Sequence, residues 1–138
     1  MPPAVVAEFG LGDIRVTVPG SESPEEPAGC KAAVAKQPPG AGGFEDDVTV
    51  APFDRDIVGG QEASALGLEP TPPVGGLPAG LWPGWGSDEC DVFVRTAPDQ
   101  GLRVQLTRYR DQPGAESPCD LARRVAGSVL AWVRRAGG

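Results

Sequence analysis

Histidine is absent from this chain of 138 residues, and its three cysteines include no Cys-x-x-Cys pair. Serine and cysteine hydrolases use histidine as their usual general base, so its absence argues against a catalytic triad. Zinc sites rich in cysteine normally contain closely spaced pairs, so no zinc site is predicted either. We therefore predict no catalytic residue, no metal ligand and no cofactor, and we expect that the protein is not an enzyme.

Long apolar segments are also missing. No stretch reaches the roughly 18 apolar residues that a transmembrane helix requires. The first residues lack the basic region and the apolar region that together mark a signal peptide. We expect neither feature in the sequence as given.

Aromatic residues are few, at 6% of the chain, whereas glycine and proline number 20 and 16. A composition this rich in glycine and proline approaches that of irregular segments. The length is that of one domain. We expect a single domain, residues 1–138, with a small core and long Gly/Pro loops.

Basic residues are scarce in the first two thirds of the chain. Eight arginines against four acidic residues follow from residue 95 onward, although the net charge of the whole chain is −7. Either this basic end binds a polyanion or anionic lipid, or it pairs with the acidic body of the same protein. Because Tyr109 is the one aromatic residue in the arginine-rich strand, we expect no nucleic-acid partner.

The C-terminal third shows the clearest periodicity. Apolar and polar residues alternate over 91–96 and again over 102–109, which predicts two strands joined by a turn at 98–101. Gly101 is expected to supply a positive φ in that turn.

A helix is predicted from Pro118 to about Arg135. Ser117 is a good N-cap, and proline suits the first helical position. The predicted apolar stripe of this helix comprises Leu121, Ala122, Val125, Ala126, Val129, Trp132 and Val133. Such a stripe must pack on a sheet or on another helix.

The N-terminal segment repeats this order of features. Residues 4–9 and 14–18 are predicted to form a hairpin, followed by a Pro/Gly loop, Cys30 and a short helix over 31–36. The fold class predicted is α+β, with an antiparallel sheet, helices packed on one face and two ββα-like halves.

The boundaries follow from composition. The first half spans residues 4–36, the linker 37–47, and the second half 48–136. A long loop over 67–86 interrupts the second half, because glycine and proline are dense there.

Cys90 lies on the buried face at the start of a predicted strand, and Cys119 lies in the first turn of the predicted helix. If the helix packs back on the sheet, a disulfide between them closes a loop of about 30 residues and stabilises by roughly 3 kcal/mol. The alternative is two reduced, buried cysteines that act as small apolar groups.

Cys30 is expected to be a free thiol. In the repeat its partner would fall at Pro2, where no cysteine stands. Either Cys30 is unpaired, or the natural protein begins further upstream.

Three motifs resemble the actinobacterial exported lipoproteins called domain of unknown function 3558. They are Gly59-Gly60-Gln61-Glu62-Ala63, Cys90 at the head of a strand, and Pro118-Cys119-Asp120-Leu121-Ala122 at the start of the last helix. The resemblance covers mainly residues 48–136 and implies a lipid-anchored or secreted envelope protein without an assigned activity. The chain departs from the pattern in lacking a signal peptide, a lipid-attachment cysteine and the usual cysteine-bearing opening segment.

The loop that holds Leu81, Trp82 and Trp85 is the candidate binding site. Two tryptophans in a Gly/Pro loop offer an apolar platform for a ligand or partner, or they cap a sheet face that the short first helix leaves uncovered.

The leading hypothesis is a non-catalytic extracytoplasmic domain of the cell envelope that binds an envelope protein or a small ligand. The alternative is a structural or regulatory interaction module that is a fragment of a longer exported protein.

Overall fold

A computed structural model describes residues 2–9, 11–17, 29–34, 46–53, 58, 67–83, 88–98, 100–108 and 116–137, with the backbone alone for 11–17, 29–34 and 136–137. The helices and strands, in chain order, are α1 (Pro3–Phe9), β1 (Leu11–Thr17), β2 (Gly29–Val34), β3 (Asp46–Phe53), β4 (Glu69–Pro70), β5 (Ala79–Trp82), β6 (Glu89–Ala97), β7 (Gln100–Arg108) and α2 (Pro118–Gly137). The predicted linker over 37–47 lies outside the described residues except for its last two, which begin β3.

The described strands form one seven-stranded sheet in the order β1-β2-β3-β7-β6-β5-β4. Every neighbouring pair is antiparallel. Helix α2 packs on β6 and β7, and α1 packs against α2. The predicted α+β class, with helices on one face of an antiparallel sheet, is confirmed.

The C-terminal unit matches its prediction closely. In the β6–β7 hairpin, Val92 is paired with Val104 and Cys90 with Leu106, so the alternating apolar residues share one face. Helix α2 begins at Pro118, and the Asp120 N–H donates a hydrogen bond to Ser117 Oγ at 3.2 Å. This is the N-cap that the sequence predicts.

The core lies between this face and α2. It consists of Val5, Phe9, Val48, Val50, Val74, Val92, Val94, Val104, Leu106, Leu121, Ala122, Val125, Ala126, Val129 and Leu130. The predicted stripe of α2 is correct up to Val129, and Leu130 continues it. Trp132 and Val133 are instead 37% and 50% exposed, because the packed part of the helix ends before them.

The N-terminal segment differs from its prediction. Residues 3–9 form α1 and not a strand. Val5 and Phe9 lie one helical turn apart, so they share one face of α1, and both are buried in the core. The β-branched valines favoured a strand, but tertiary packing overrides this weak local preference.

The short helix predicted after Cys30 is also wrong. Residues 29–34 form β2, in which Cys30 is paired with Val16 of β1 and Val50 of β3. A strand at this position pairs its backbone groups with β1 on one side and β3 on the other, which a short helix would leave unpaired. The order of the described N-terminal elements is therefore αββ, so the first ββα-like half is wrong, whereas β6, β7 and α2 form the second. The correspondence that placed a missing cysteine at Pro2 loses its basis.

The segment predicted as a long loop over 67–86 contains two strands in its described part. Between β4 and β5, Val74 and Leu77 exchange backbone hydrogen bonds around Gly75 and Gly76, which both have positive φ. Helix α2 holds this turn, since Arg134 Nη2 donates to the Gly75 carbonyl oxygen at 2.7 Å. Buried Val74 anchors the turn in the core.

Gly101 is needed for a different reason from the one predicted. Its φ is not in the left-handed region. A Cβ at this position would instead collide with the Phe53 ring and with the carbonyl oxygen of Val94. Close approach of the Phe53 ring to the backbone therefore requires glycine.

Candidate functional site

Strand alternation places a second set of side chains on the face of the sheet opposite the core. Trp82 is paired with Asp91, and Phe93 with Arg103, so these four share that face. Both described helices belong to the core side. We call the "second face" the set Phe53, Trp82, Glu89, Asp91, Phe93, Arg103 and Gln105.

An ion pair lies at the centre of the second face. Arg103 donates from Nε at 3.0 Å and from Nη2 at 2.6 Å, both to Asp91 Oδ2. The Asp91 side chain is 1% exposed and the Arg103 side chain 33% exposed. The guanidinium therefore reaches water while the carboxylate does not.

The other carboxylate oxygen of Asp91 is unusual. Oδ1 is buried and has no hydrogen-bond partner among the residues that the structure describes. Burial raises the pKa of the Asp91 carboxyl above its ordinary value. Arg103 lowers this pKa through its charge and its hydrogen bonds, but by less, and the negative charge of Glu89 raises it slightly further. An acceptor of this kind favours contact with a group that carries a hydrogen-bond donor.

Aromatic rings surround the ion pair. The Arg103 guanidinium carbon lies 5.7 Å from the centre of the Phe93 ring, and Phe53 meets Phe93 edge to face with centroids 5.9 Å apart. Both arrangements are favourable for arginine and aromatic groups. Beside them, Gln105 Nε2 donates to Glu89 Oε1 at 2.8 Å. The arginine is therefore fixed by a carboxylate on one side and a ring on the other.

The structure separates the residues of the predicted platform. Leu81 is paired with Val92 and packs against the core, whereas Trp82 lies on the second face beside Asp91. Trp85 lies outside the described residues. Leu81 and Trp82 therefore do not form one surface, and of the two only Trp82 joins the candidate site.

Sequence reasoning missed Asp91, Phe93 and Arg103 as a group. The signal was present, because the residues that alternate with the buried Val92 and Val104 must share the opposite face. What the sequence did not supply was the register of the hairpin, which brings Arg103 next to Phe93 and within reach of Asp91.

Several arginines of the basic end pair with acidic groups or carbonyl oxygens. Arg103 binds Asp91, Arg108 binds Asp46, and Arg124 binds Glu116. For Arg103 and Arg108, the interpretation that the basic end pairs with the acidic body is the correct one, whereas Glu116 belongs to the basic end itself. The three arginines are not available as a free polyanion site.

Cys90 and Cys119 form a disulfide, with their Cα atoms 5.1 Å apart. The predicted pairing is confirmed, and it ties the start of β6 to the first turn of α2. The thiol of Cys30 lies outside the described side chains, so its predicted free state stays a prediction.

Within the described ranges, no three metal-binding side chains lie together. The same residues include no helix long and apolar enough to cross a membrane.

The described residues form a disulfide-linked α+β domain with helices on one face of a seven-stranded antiparallel sheet. Residues 1–131 match the family described as "Protein of unknown function (DUF3558)". The chain belongs to this family, as three of its motifs indicated, and the match extends to the N-terminal segment as well. No curated protein and no solved structure matches the chain significantly.

Proposed function

We propose that this protein is a non-catalytic extracytoplasmic domain that binds a small ligand or a partner through the second face of its sheet. The observation that carries the proposal is the buried Asp91 carboxylate, which has one oxygen bound by Arg103 and the other without a hydrogen-bond partner among the described residues. A buried acceptor left unsatisfied costs about 1–3 kcal/mol. A ligand that donates an N–H or O–H to Oδ1 recovers that free energy.

Trp82 is the proposed point of entry. It is the cross-strand neighbour of Asp91 and is partly exposed. A ligand that reaches the Asp91 carboxylate from this edge would pass the indole ring, on which apolar and aromatic groups stack favourably. Of the residues predicted to bind a ligand, the proposed site keeps Trp82. Asp91 and Arg103 take the place of Leu81.

The disulfide supports the extracytoplasmic location. Disulfides persist in oxidising compartments and are rare where glutathione and thioredoxin keep thiols reduced. We place the protein in the cell envelope, secreted or lipid-anchored, as the resemblance to actinobacterial exported lipoproteins implies. The absence of histidine from the sequence supports a binding role over hydrolytic catalysis.

A fragment library of small amines, amides and polyols, screened by amide chemical shifts of the whole chain, tests the proposal. We expect hits to shift the amides of Trp82, Asp91 and Phe93. Asp91→Asn and Trp82→Ala should each weaken those hits at least tenfold and leave the protein folded.

Glu116→Gln is the matched control, because it removes a carboxylate that is also paired with an arginine but lies beside α2. It should leave the hits unchanged. Hits that map to α2, or hits that survive Asp91→Asn and Trp82→Ala, would contradict the proposal.

A further inference from the structure

The last turns of α2 carry apolar side chains that the fold does not cover. Val133 continues the stripe one turn beyond Val129, yet Val133 is 50% exposed and Trp132 is 37% exposed. They are the exposed large hydrophobic side chains among the described residues. The buried part of the stripe stops at Leu130, so the helix extends past the surface on which it packs.

The same end of the helix is cationic. Arg134 and Arg135 follow directly and are exposed, and the helix from Leu121 onward contains four arginines and no acidic residue. Arg134 is held in place by its hydrogen bond to the Gly75 carbonyl oxygen, and no carboxylate within the described ranges pairs with it. Trp132, Val133, Arg134 and Arg135 are called here the "helix tip".

The acidic groups nearest along the helix are far enough away to be screened. Asp120 lies at the opposite end of α2, about 22 Å from Arg135 at 1.5 Å per residue. Glu8 on α1 accepts a hydrogen bond from Ser128, roughly 10 Å before Arg135 along the axis. Charges at such distances are largely screened at physiological salt, where the Debye length is about 8 Å.

We propose that the helix tip docks on an anionic phospholipid surface. Tryptophan suits the boundary between headgroups and acyl chains, because its ring is apolar and its N–H is polar. Arginines beside it meet lipid phosphates, which is the charge that complements them. The net charge of −7 on the whole chain repels the rest of the protein from the same surface and so fixes the orientation of docking.

A protein occupant fits the helix tip less well. A stable protein–protein interface buries about 800 Å² on each partner, far more than two exposed side chains offer. A bilayer needs only shallow insertion of a few side chains, and the expected binding is weak and dependent on salt. This inference is independent of the second face, which lies on the other side of the sheet.

Vesicles provide the test, with the oxidised full chain as the protein. One set contains equal parts of phosphatidylglycerol and phosphatidylcholine, and the other set contains phosphatidylcholine alone. We expect co-sedimentation with the anionic set, a blue shift of tryptophan emission, and loss of both in high salt. Arg135→Gln should lower partitioning about fivefold, and Trp132→Ala should lower it by at least as much and remove the emission shift.

Arg124→Gln is the matched control, because it removes one positive charge from the same helix far from the tip. It should leave partitioning within twofold of the wild type. Partitioning that is absent at low salt, that is equal on both vesicle sets, or that falls as much in Arg124→Gln as in Arg135→Gln would overturn the proposal. So would a wild-type dimer in sedimentation that Trp132→Ala dissociates, since a second copy would then occupy the tip.

Discussion

Arg108 on β7 and Asp46 on β3 stand directly opposite each other and form a two-pronged ion pair. Arg108 Nε lies 2.9 Å from Asp46 Oδ1, and Nη2 lies 3.2 Å from Oδ2. Nη1 of the same guanidinium donates to the Glu116 carbonyl oxygen at 2.8 Å. One side chain therefore joins two central strands to the segment that leads into α2.

Asp46→Ala should lower the free energy of unfolding by about 3–5 kcal/mol, because it leaves the Arg108 charge buried without its carboxylate. The side chains of Asp46 and Arg108 are 0% and 9% exposed. Arg124→Gln breaks a pair that is largely exposed and should change stability by about 1 kcal/mol or less. Urea unfolding of both variants measures the difference, and similar losses in the two would contradict the structural role of Asp46.

The disulfide should contribute about 3 kcal/mol, because the two cysteines are separated by 29 residues. Reduction should therefore lower the unfolding midpoint of the wild type. The double variant Cys90→Ala, Cys119→Ala should already show the lower midpoint and be insensitive to reductant. Cys30→Ser should keep the full response to reductant, and a Cys30→Ser variant that lost it would refute the pairing.

Gly101→Ala should destabilise by roughly 1–3 kcal/mol, because the new Cβ collides with the Phe53 ring and the Val94 carbonyl oxygen. Gly127→Ala is the opposite case. A Cβ there meets only Val74 Cγ1 at 4.0 Å, an ordinary contact, and alanine is favoured over glycine within a helix. That variant should gain up to about 1 kcal/mol, and thermal unfolding of both proteins checks the two signs.

Stability should depend on pH through Asp91. Burial raises the pKa of this carboxyl in the folded state, so the folded protein holds the proton at pH values where the unfolded chain has released it. The stabilisation that Asp91 contributes to the folded state is therefore fully present below the ordinary aspartate pKa. It is lost as the pH rises through the raised pKa. Asp91→Asn cannot titrate, so the stability of the wild type relative to this variant should fall over that pH range. A relative stability that rises with pH would show that the pairing with Arg103 outweighs burial.

The C-terminal half of the fold was predictable because several local signals agree there. Alternation in β6 and β7, the Ser117 cap and the stripe of α2 all indicate the same architecture. The same agreement placed Cys90 and Cys119 close enough to pair. Where local and global preferences coincide, sequence patterns are sufficient.

The N-terminal half was not predictable because its signals are short and ambiguous. The valines of α1 favour a strand, yet the segment forms a helix that buries Val5 and Phe9 in the core. β2 contains two alanines and one valine, and its neighbours β1 and β3 determine its structure. The apparent repeat arose from composition and not from shared structure.

The candidate site was predictable only in part. Trp82 was identified because an aromatic residue stands out in a Gly/Pro segment. The partners Asp91 and Arg103 depend on hairpin register, which shifts between Arg95 and Ala97 and which alternation alone does not set.

Intact-mass analysis with thiol counting and peptide mapping, on non-reduced protein taken from its native host, tests the proposed exported domain most directly. We expect a Cys90–Cys119 cross-linked peptide and one free thiol at Cys30. Three free thiols in that material would contradict both the disulfide and the extracytoplasmic location that rests on it.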